Sequence, residues 1–232
     1  MADAEDRLPI SELIPLNRVR KAMAKAMSAS VGTAALSQVS RCIDVGPLVA
    51  ARAAADPATR VSINTYVMAA TARLLPAHPF LNGRLIDTTV HVPAVVNLGM
   101  AVATDAGLLV PVIHRADEKS LAELDAAAAD LAQRARAGAL RMADIDAGTF
   151  TVSNLGMLGI DTGFALPPPP QAAILLVGRS RPRLELGADG DIVTVTEAAF
   201  GVTYDHRFID GAGAAAFLAD LASRLATIAE EE

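Results

Sequence analysis

The chain has 232 residues and a net charge of −6, and its Lys and Arg are scattered apart from a small cluster at Arg18, Arg20, Lys21 and Lys25, so nothing in it marks a nucleic-acid face. Apolar residues reach 52% but aromatics only 3%, so any core must be built from tight aliphatic and alanine packing. The one cysteine, Cys42, excludes an internal disulfide and a Cys-based zinc site, and no apolar run approaches the ~18 residues that a membrane span requires.

Residues 1–13 are acidic and aperiodic, and read as a flexible arm rather than a signal or transit peptide; a cytoplasmic protein with one domain over residues 14–232 is expected. From Asn17 to Ser30 the apolar positions Val19, Met23 and Met27 recur every four residues, which predicts an amphipathic helix. Leu36 to Val45 alternates as a strand that slips phase once, suggesting a bulge, and places Cys42 in the core. Pro47 to Ala55 predicts a short helix. Asn64 to Leu75 predicts a longer one, turned inward through Val67, Ala70 and Leu74 and capped by Ser62 or Asn64. Leu81 to Val92 holds two short strands broken at Asp87. Val95 to Thr104 and Leu108 to Ile113 read as strands joined at Asp105-Ala106-Gly107. Ser120 and Glu123 form a capping box that opens a helix with Leu121, Leu124, Ala128, Leu131 and Ala135 on one face, closed by Gly138. Strands follow at Thr149 to Ser153, Ala173 to Val177, Leu184 to Leu186 and Ile192 to Tyr204, the last two joined at Asp189-Gly190. A final helix carries Phe217, Leu218, Leu221, Leu225 and Ile228 inward. Helices and strands interleave without the beat of a doubly wound sheet, so the class is α+β, a mixed sheet with helices packed on it.

The chemistry concentrates in Tyr204-Asp205-His206-Arg207-Phe208-Ile209-Asp210-Gly211, between the last strand and the last helix. A neutral imidazole is the usual side chain for removing a proton near neutral pH. Alone, the block also reads as a helix cap. Thr149-Phe150-Thr151-Val152-Ser153-Asn154-Leu155-Gly156 is a strand ending on a hydroxyl and a glycine turn, and alone it reads as a satisfied strand terminus. Other signals fail. Gly211-Ala-Gly213 mimics a dinucleotide fingerprint but has too little chain after it. His78, His91 and His114 lack partners at metal-ligand spacing, and Ser153 lacks the Gly-x-Ser-x-Gly frame of a hydrolase. Pro167 to Pro170 is a stiff extended run.

Taken together, the His206 block and the Ser153 strand resemble the catalytic core of the dihydrolipoamide acyltransferases of 2-oxo acid dehydrogenase complexes, within the chloramphenicol-acetyltransferase-like superfamily. Gly156 to Asp161, the Leu16 to Met27 helix with Arg20-Lys21, Val96 to Ala101, Gly107 to Ile113 and Lys119 to Leu124 agree in order, so the resemblance covers about Ile14 to Leu225. It implies a two-layer fold and transfer of an acyl group between dihydrolipoamide and coenzyme A. His206 would be the general base, Ser153 the donor to the tetrahedral oxyanion, and Asp210 the third site residue, pairing with Arg20 or Arg18 to hold the loop. Asn154 and Asn82 would line the substrate and coenzyme A channel. It further implies a homotrimer with the active site between subunits, a lipoyl group brought in trans by a lipoyl-bearing protein, other dehydrogenase-complex components as partners, and no metal. Two departures bear on the pocket: no Pro-His pair stands in Thr33 to Val39, and Pro168 replaces the Asn usual before the paired prolines. No lipoyl or peripheral-subunit-binding segment is present, so an excised core or a stand-alone enzyme is expected. Glu230, Glu231 and Glu232 would be costly to desolvate, so assembly is expected to stop at the trimer, near three times 24.0 kDa. The rivals are a small-molecule acetyltransferase and a non-catalytic assembly core.

Overall fold

Asn17 opens the first helix by accepting the Arg20 N–H on its side chain at 2.8 Å, and α1 runs Arg18–Thr33. The structure, a computed structural model, describes residues 11–187 and 189–228. The carboxylates of Glu230, Glu231 and Glu232, and most of the proposed arm, lie outside these residues. After α1 come β1 (Leu36–Asp44), α2 (Gly46–Ala54), α3 (Ile63–Leu74), α4 (Pro79–Asn82), β2 (Arg84–Ile86) and β3 (Thr89–His91). Next are β4 (Leu98–Met100), β5 (Val102–Thr104), β6 (Gly107–Leu109), β7 (Val112–Ile113) and α5 (Leu121–Arg136). The chain ends in β8 (Phe150–Asn154), β9 (Ala173–Leu186), β10 (Ile192–Asp205) and α6 (Gly211–Thr227). Ser62 caps α3, and the Ser120–Glu123 capping box opens α5 as its spacing predicts.

One six-stranded sheet, ordered β1-β10-β9-β8-β4-β7, organises the molecule. β8 runs parallel to β4 and β9, and the other neighbours are antiparallel, so the sheet is mixed as expected. Strand alternation splits its side chains between two faces. Phe150, Val152, Leu175, Val177, Phe200, Val202 and Tyr204 join the core beneath α3, α5 and α6. Thr151, Ser153, Ile174 and Leu176 take the opposite face. The stripe on α6 is fully buried: Ala214, Phe217, Leu218, Leu221, Leu225 and Ile228. Phe217 is its centre, edge-on to the His78 ring at 5.3 Å and 6.0 Å from Phe150.

Several elements differ from the sequence reading. Cys42 is exposed rather than in the core, because β1 is an edge strand and the Cys42 side lies away from the helices. β1 pairs with β10 without a break; the irregularity sits between β9 and β10 instead, where Ala198 opposes Ser180 but Phe200 opposes Val177. The two predicted strands around Gly107 each split, since Ala101 donates to Val152 in the main sheet while Val102–Thr104 peels away to pair with Gly107–Leu109. Leu81 and Asn82 belong to a helical turn begun by Pro79, and Asp87 adopts φ 54° at the break between β2 and β3. β9 is continuous through Pro182, which is tolerated there because β8 ends opposite Val177 and leaves that edge open.

Replacing Phe217 with Ala should lower the unfolding free energy by about 3–5 kcal/mol, since the ring has no solvent contact to relax into. Urea unfolding with an unchanged slope is the measurement.

Candidate active site

Asp205 ends β10 with a side chain only 5% exposed. Its Oδ1 accepts from the Ala35 N–H at 3.2 Å and from the Arg207 backbone N–H at 3.1 Å. The Arg207 guanidinium closes the fork, Nε at 3.0 Å from both oxygens and Nη2 at 2.6 Å from Oδ2. Burial pushes this carboxyl up, but the Arg207 side chain, its backbone N–H, its charge and the Ala35 N–H outweigh that, leaving it below the usual carboxylate value. Between the two halves of the fork stands His206. Its backbone N–H donates to the Ala35 carbonyl at 2.7 Å, and its exposed ring lies 5.5 Å from Tyr204. Among the described residues no group hydrogen-bonds the ring nitrogens.

Ser153 sits near the end of β8, 9% exposed, on the face opposite the helices. Its hydroxyl also lacks a hydrogen-bond partner among the described residues. The turn after it is held tightly. Asn154 Oδ1 accepts the Gly156 N–H at 2.9 Å, and its Nδ2 donates to Asn64 at 3.1 Å. Gly156 then crosses the β9 irregularity: a Cβ there would stand 2.6 Å from the Gly178 carbonyl, and one on Gly178 would stand 2.0 Å from that of Asp161. Only glycine fits either position. Arg179 donates its backbone N–H to Ile160 at 2.8 Å and pairs with Asp161 at 2.6 Å, pinning the loop.

The structure does not bring His206 and Ser153 together within one chain. Ser153 is level with Leu176 on β9, which is level with Gly201 on β10. His206 lies five residues beyond Gly201 and two strands over. At ~3.3 Å per residue and ~4.8 Å per strand, the two Cα atoms are about 19 Å apart. Side chains standing off the sheet do not close a gap that runs within it.

Asp210 is exposed and caps α6, its Oδ1 accepting the Gly213 N–H at 2.7 Å. It forms no ion pair with Arg20 or Arg18 in this chain. Within the chain, α1 lays Arg20 beside Gly107 at the β5–β6 turn, and Arg207 pairs with Asp205. Asn82 and Asn154 line different clefts. Asn82 borders one of about 400 Å³ with Gly148, Thr149 and Pro168 to Gln171. Asn154 borders a smaller one with Val177 and Arg179, and its amide is consumed by the turn. A third cleft, about 280 Å³, is walled by Pro170, Gln171, Asp205, Arg207 and Phe208. The Asp205–Arg207 fork is what sequence reasoning passed over; an Asp and an Arg flanking one His, two residues apart, was the available signal. Among the described residues no cluster of His, Cys, Asp and Glu is placed to hold a metal, and no helix is long and apolar enough to cross a membrane.

A six-stranded mixed sheet with a helix layer and this histidine turn define an acyltransferase fold of the chloramphenicol acetyltransferase kind; a chloramphenicol acetyltransferase superposes on 92% of the chain with a TM-score of 0.54 at 15% identity, a likeness of fold. The catalytic-domain model of the 2-oxoacid dehydrogenases acyltransferase family matches residues 9–230, and the chain belongs to that family. A probable dihydrolipoamide acetyltransferase from Listeria monocytogenes superposes with a TM-score of 0.91 at 32% identity, covering 95% of this chain and 97% of that one. A structure from work on the roles of a Ser, a His and an Asn in the catalytic mechanism of Azotobacter vinelandii dihydrolipoamide acetyltransferase gives 0.90 at 28% identity, covering 95% and 96%. The Mycobacterium tuberculosis dihydrolipoyllysine-residue acetyltransferase component of pyruvate dehydrogenase complex is 37% identical over 222 residues, 90% of this chain and 40% of that protein. The acetyltransferase component of the Bacillus subtilis acetoin cleaving system is 33% identical over 220 residues, 90% of this chain and 55% of its own length. The chain thus spans about half or less of these two relatives.

Asp205→Asn should destabilise the protein by about 1–3 kcal/mol, because it strands Arg207 and turns an amide NH₂ toward N–H donors. The folded carboxyl is depressed, so its contribution is present above the unfolded value of about 3.9 and lost as pH falls through the folded one. Wild-type and variant melting curves should therefore converge as pH drops below about 4. Asp210→Ala should cost only about 1 kcal/mol of melting stability and Asp210→Asn less, since Asn also caps.

Proposed function

We propose that the chain transfers an acyl group between dihydrolipoamide and coenzyme A, at sites each built from His206 of one subunit and Ser153 of the next. The observation that carries this is the pair of unengaged groups, an imidazole and a hydroxyl, about 19 Å apart in one chain. Reaction demands both within ~3–3.5 Å of the reacting atoms. A second copy supplies the missing half, and a homotrimer closes the arrangement because every contact is then equivalent. The family model and the likeness to acetyltransferase cores support the reading.

A thiol of pKa ~8.5 is mostly protonated at neutral pH, and only the thiolate attacks well. His206 takes the proton from the coenzyme A thiol. The thiolate adds to the carbonyl of S-acyl-dihydrolipoamide, and the carbonyl oxygen becomes an oxyanion that accepts the Ser153 O–H. Collapse breaks the bond from carbon to the lipoyl sulfur, and the His206 imidazolium returns the proton to that sulfur. The reverse direction uses the same groups. Asp205 and Asp210 position the His206 turn, the first through its fork and the second through the α6 cap. Asn154 holds the turn after Ser153, and Asn82 belongs to the substrate channel. The acyl-bearing lipoyl group comes on a separate protein or domain, in a cytoplasmic 2-oxo acid dehydrogenase complex.

His206→Ala should lower turnover by roughly 10²–10⁴, and Ser153→Ala by about 10²–10³ in the maximal rate rather than in substrate affinity. The decisive experiment refolds the two inactive variants together. Random 1:1 mixing places an intact His206 against an intact Ser153 at about a quarter of the contacts, so about a quarter of wild-type activity should return. Recovery of none would overturn the shared site, and a monomer by light scattering would overturn the trimer with it.

A further inference from the structure

Asn97 stands immediately before β4, is 8% exposed, and has every polar group engaged. Its backbone joins it to the start of β8: the Asn97 N–H donates to Thr149 Oγ1 at 3.1 Å, and its carbonyl accepts the Thr149 N–H at 2.8 Å. Its side chain reaches two separate loops. Oδ1 accepts the Arg115 backbone N–H at 3.0 Å, and Nδ2 donates to the Ala147 carbonyl at 2.9 Å. Both of those residues are left-handed, Arg115 at φ 50° and Ala147 at φ 57°. A Cβ makes that conformation costly. Among the described residues the only other non-glycine residue with positive φ is Asp87, in the turn between β2 and β3. One buried carboxamide thus holds two strained residues that lie 32 positions apart.

The strain sits at a cleft. Asn97, Ala147, Gly148 and Thr149 border the cleft of about 400 Å³, which Pro168 to Gln171 also border. Ala147 brings Gly148 so close to Gln171 that a Cβ on Gly148 would stand 2.7 Å from Gln171 Nε2. Gln171 in turn borders the neighbouring cleft that holds Asp205 and Arg207, the residues on either side of His206. Ala147 is exposed, so its turn owes its shape to hydrogen bonds rather than to core packing. Those bonds are the one from Asn97 to its carbonyl and the one its own N–H donates to Asp146 Oδ1 at 2.8 Å.

We propose that Asn97 is a positioning residue for substrate: its carboxamide holds Ala147 left-handed and so keeps the wall of this cleft shaped to receive the sulfur-bearing arm of a substrate beside the histidine turn. The inference rests on the acyl-transfer reading above. Asn97 acts through Ala147 and touches no reacting atom. Without the amide donor, Ala147 relaxes toward the backbone conformations that alanine prefers. Only a fraction of molecules then keeps the receptive wall, and apparent affinity falls by that fraction. Chemistry after the arm is bound is unaffected, so the loss falls on KM and not on kcat.

Asn97→Asp is the probe, because it keeps an acceptor for Arg115 and removes the donor to Ala147. The full chain is assayed with dihydrolipoamide and whichever of acetyl-, succinyl- or branched-chain acyl-CoA wild type accepts. Each substrate is varied in turn, at a temperature where melting curves show every variant folded. KM for one substrate should rise about tenfold, with kcat within about twofold of wild type; the substrate affected identifies the arm. Ala147→Gly in the same chain should restore most of the lost affinity, since glycine is left-handed without penalty. Asn97→Ala enters the same scheme if the Asp variant does not fold. A fall in kcat at unchanged KM, or a KM defect that Ala147→Gly fails to repair, overturns the proposal. Wild type that transfers from no acyl-CoA overturns the acyltransferase reading and this inference together. Active wild type with Asn97 variants that match it in both constants overturns this inference alone.

Discussion

Everything at the histidine end of the molecule depends on one buried carboxylate. Asp205 collects N–H groups from Ala35 and Arg207, and so ties the first residue before β1 to the last residue of β10. A carboxylate placed there without those donors would be costly, because burial penalises its charge. With them, it fixes the backbone on both sides of His206, whose imidazole has no hydrogen-bond partner among the described residues. The Ala35 carbonyl takes the His206 N–H and completes the bracket. The chain thus turns at a defined point, and Asp210 starts α6 four residues later with its own cap.

The serine end is built by a different device. Gly156 and Gly178 let two backbones approach more closely than any Cβ allows, and the irregularity between β9 and β10 provides the room. Asn154, Arg179 and Asp161 then hold the loop that follows Ser153. The two ends share a sheet, and the sheet keeps them apart. Their separation follows from register alone, so no side-chain motion brings them together. In the proposed trimer, such a scaffold would present its two groups to different neighbours.

Beyond Arg181 and Glu197, where β1 also ends, β9 and β10 continue as a two-stranded ribbon with no third strand among the described residues. Leu184, Leu186 and Ile192 are exposed along it, while Arg181 and Arg183 converge on the buried Glu197 at its base. These ion pairs tie the start of the ribbon to the end of the sheet.

The sequence by itself determined the elements whose signals are local. The Ser62 and Ser120 caps and the α5 and α6 stripes each depend on residues within a few positions, and each stands where its spacing puts it. The His206 and Ser153 blocks were legible as well, because both are compact strings with a definite chemistry. What was not legible depends on partners far along the chain. Cys42 faces outward because β1 ended at the sheet's edge, which no alternation within β1 records. That α1 packs against the β5–β6 turn, laying Arg20 beside Gly107, is likewise a matter of distant partners. The distance between His206 and Ser153 came only from the pairing of β8, β9 and β10, since strand order and register are set by long-range packing rather than by the residues of any one strand.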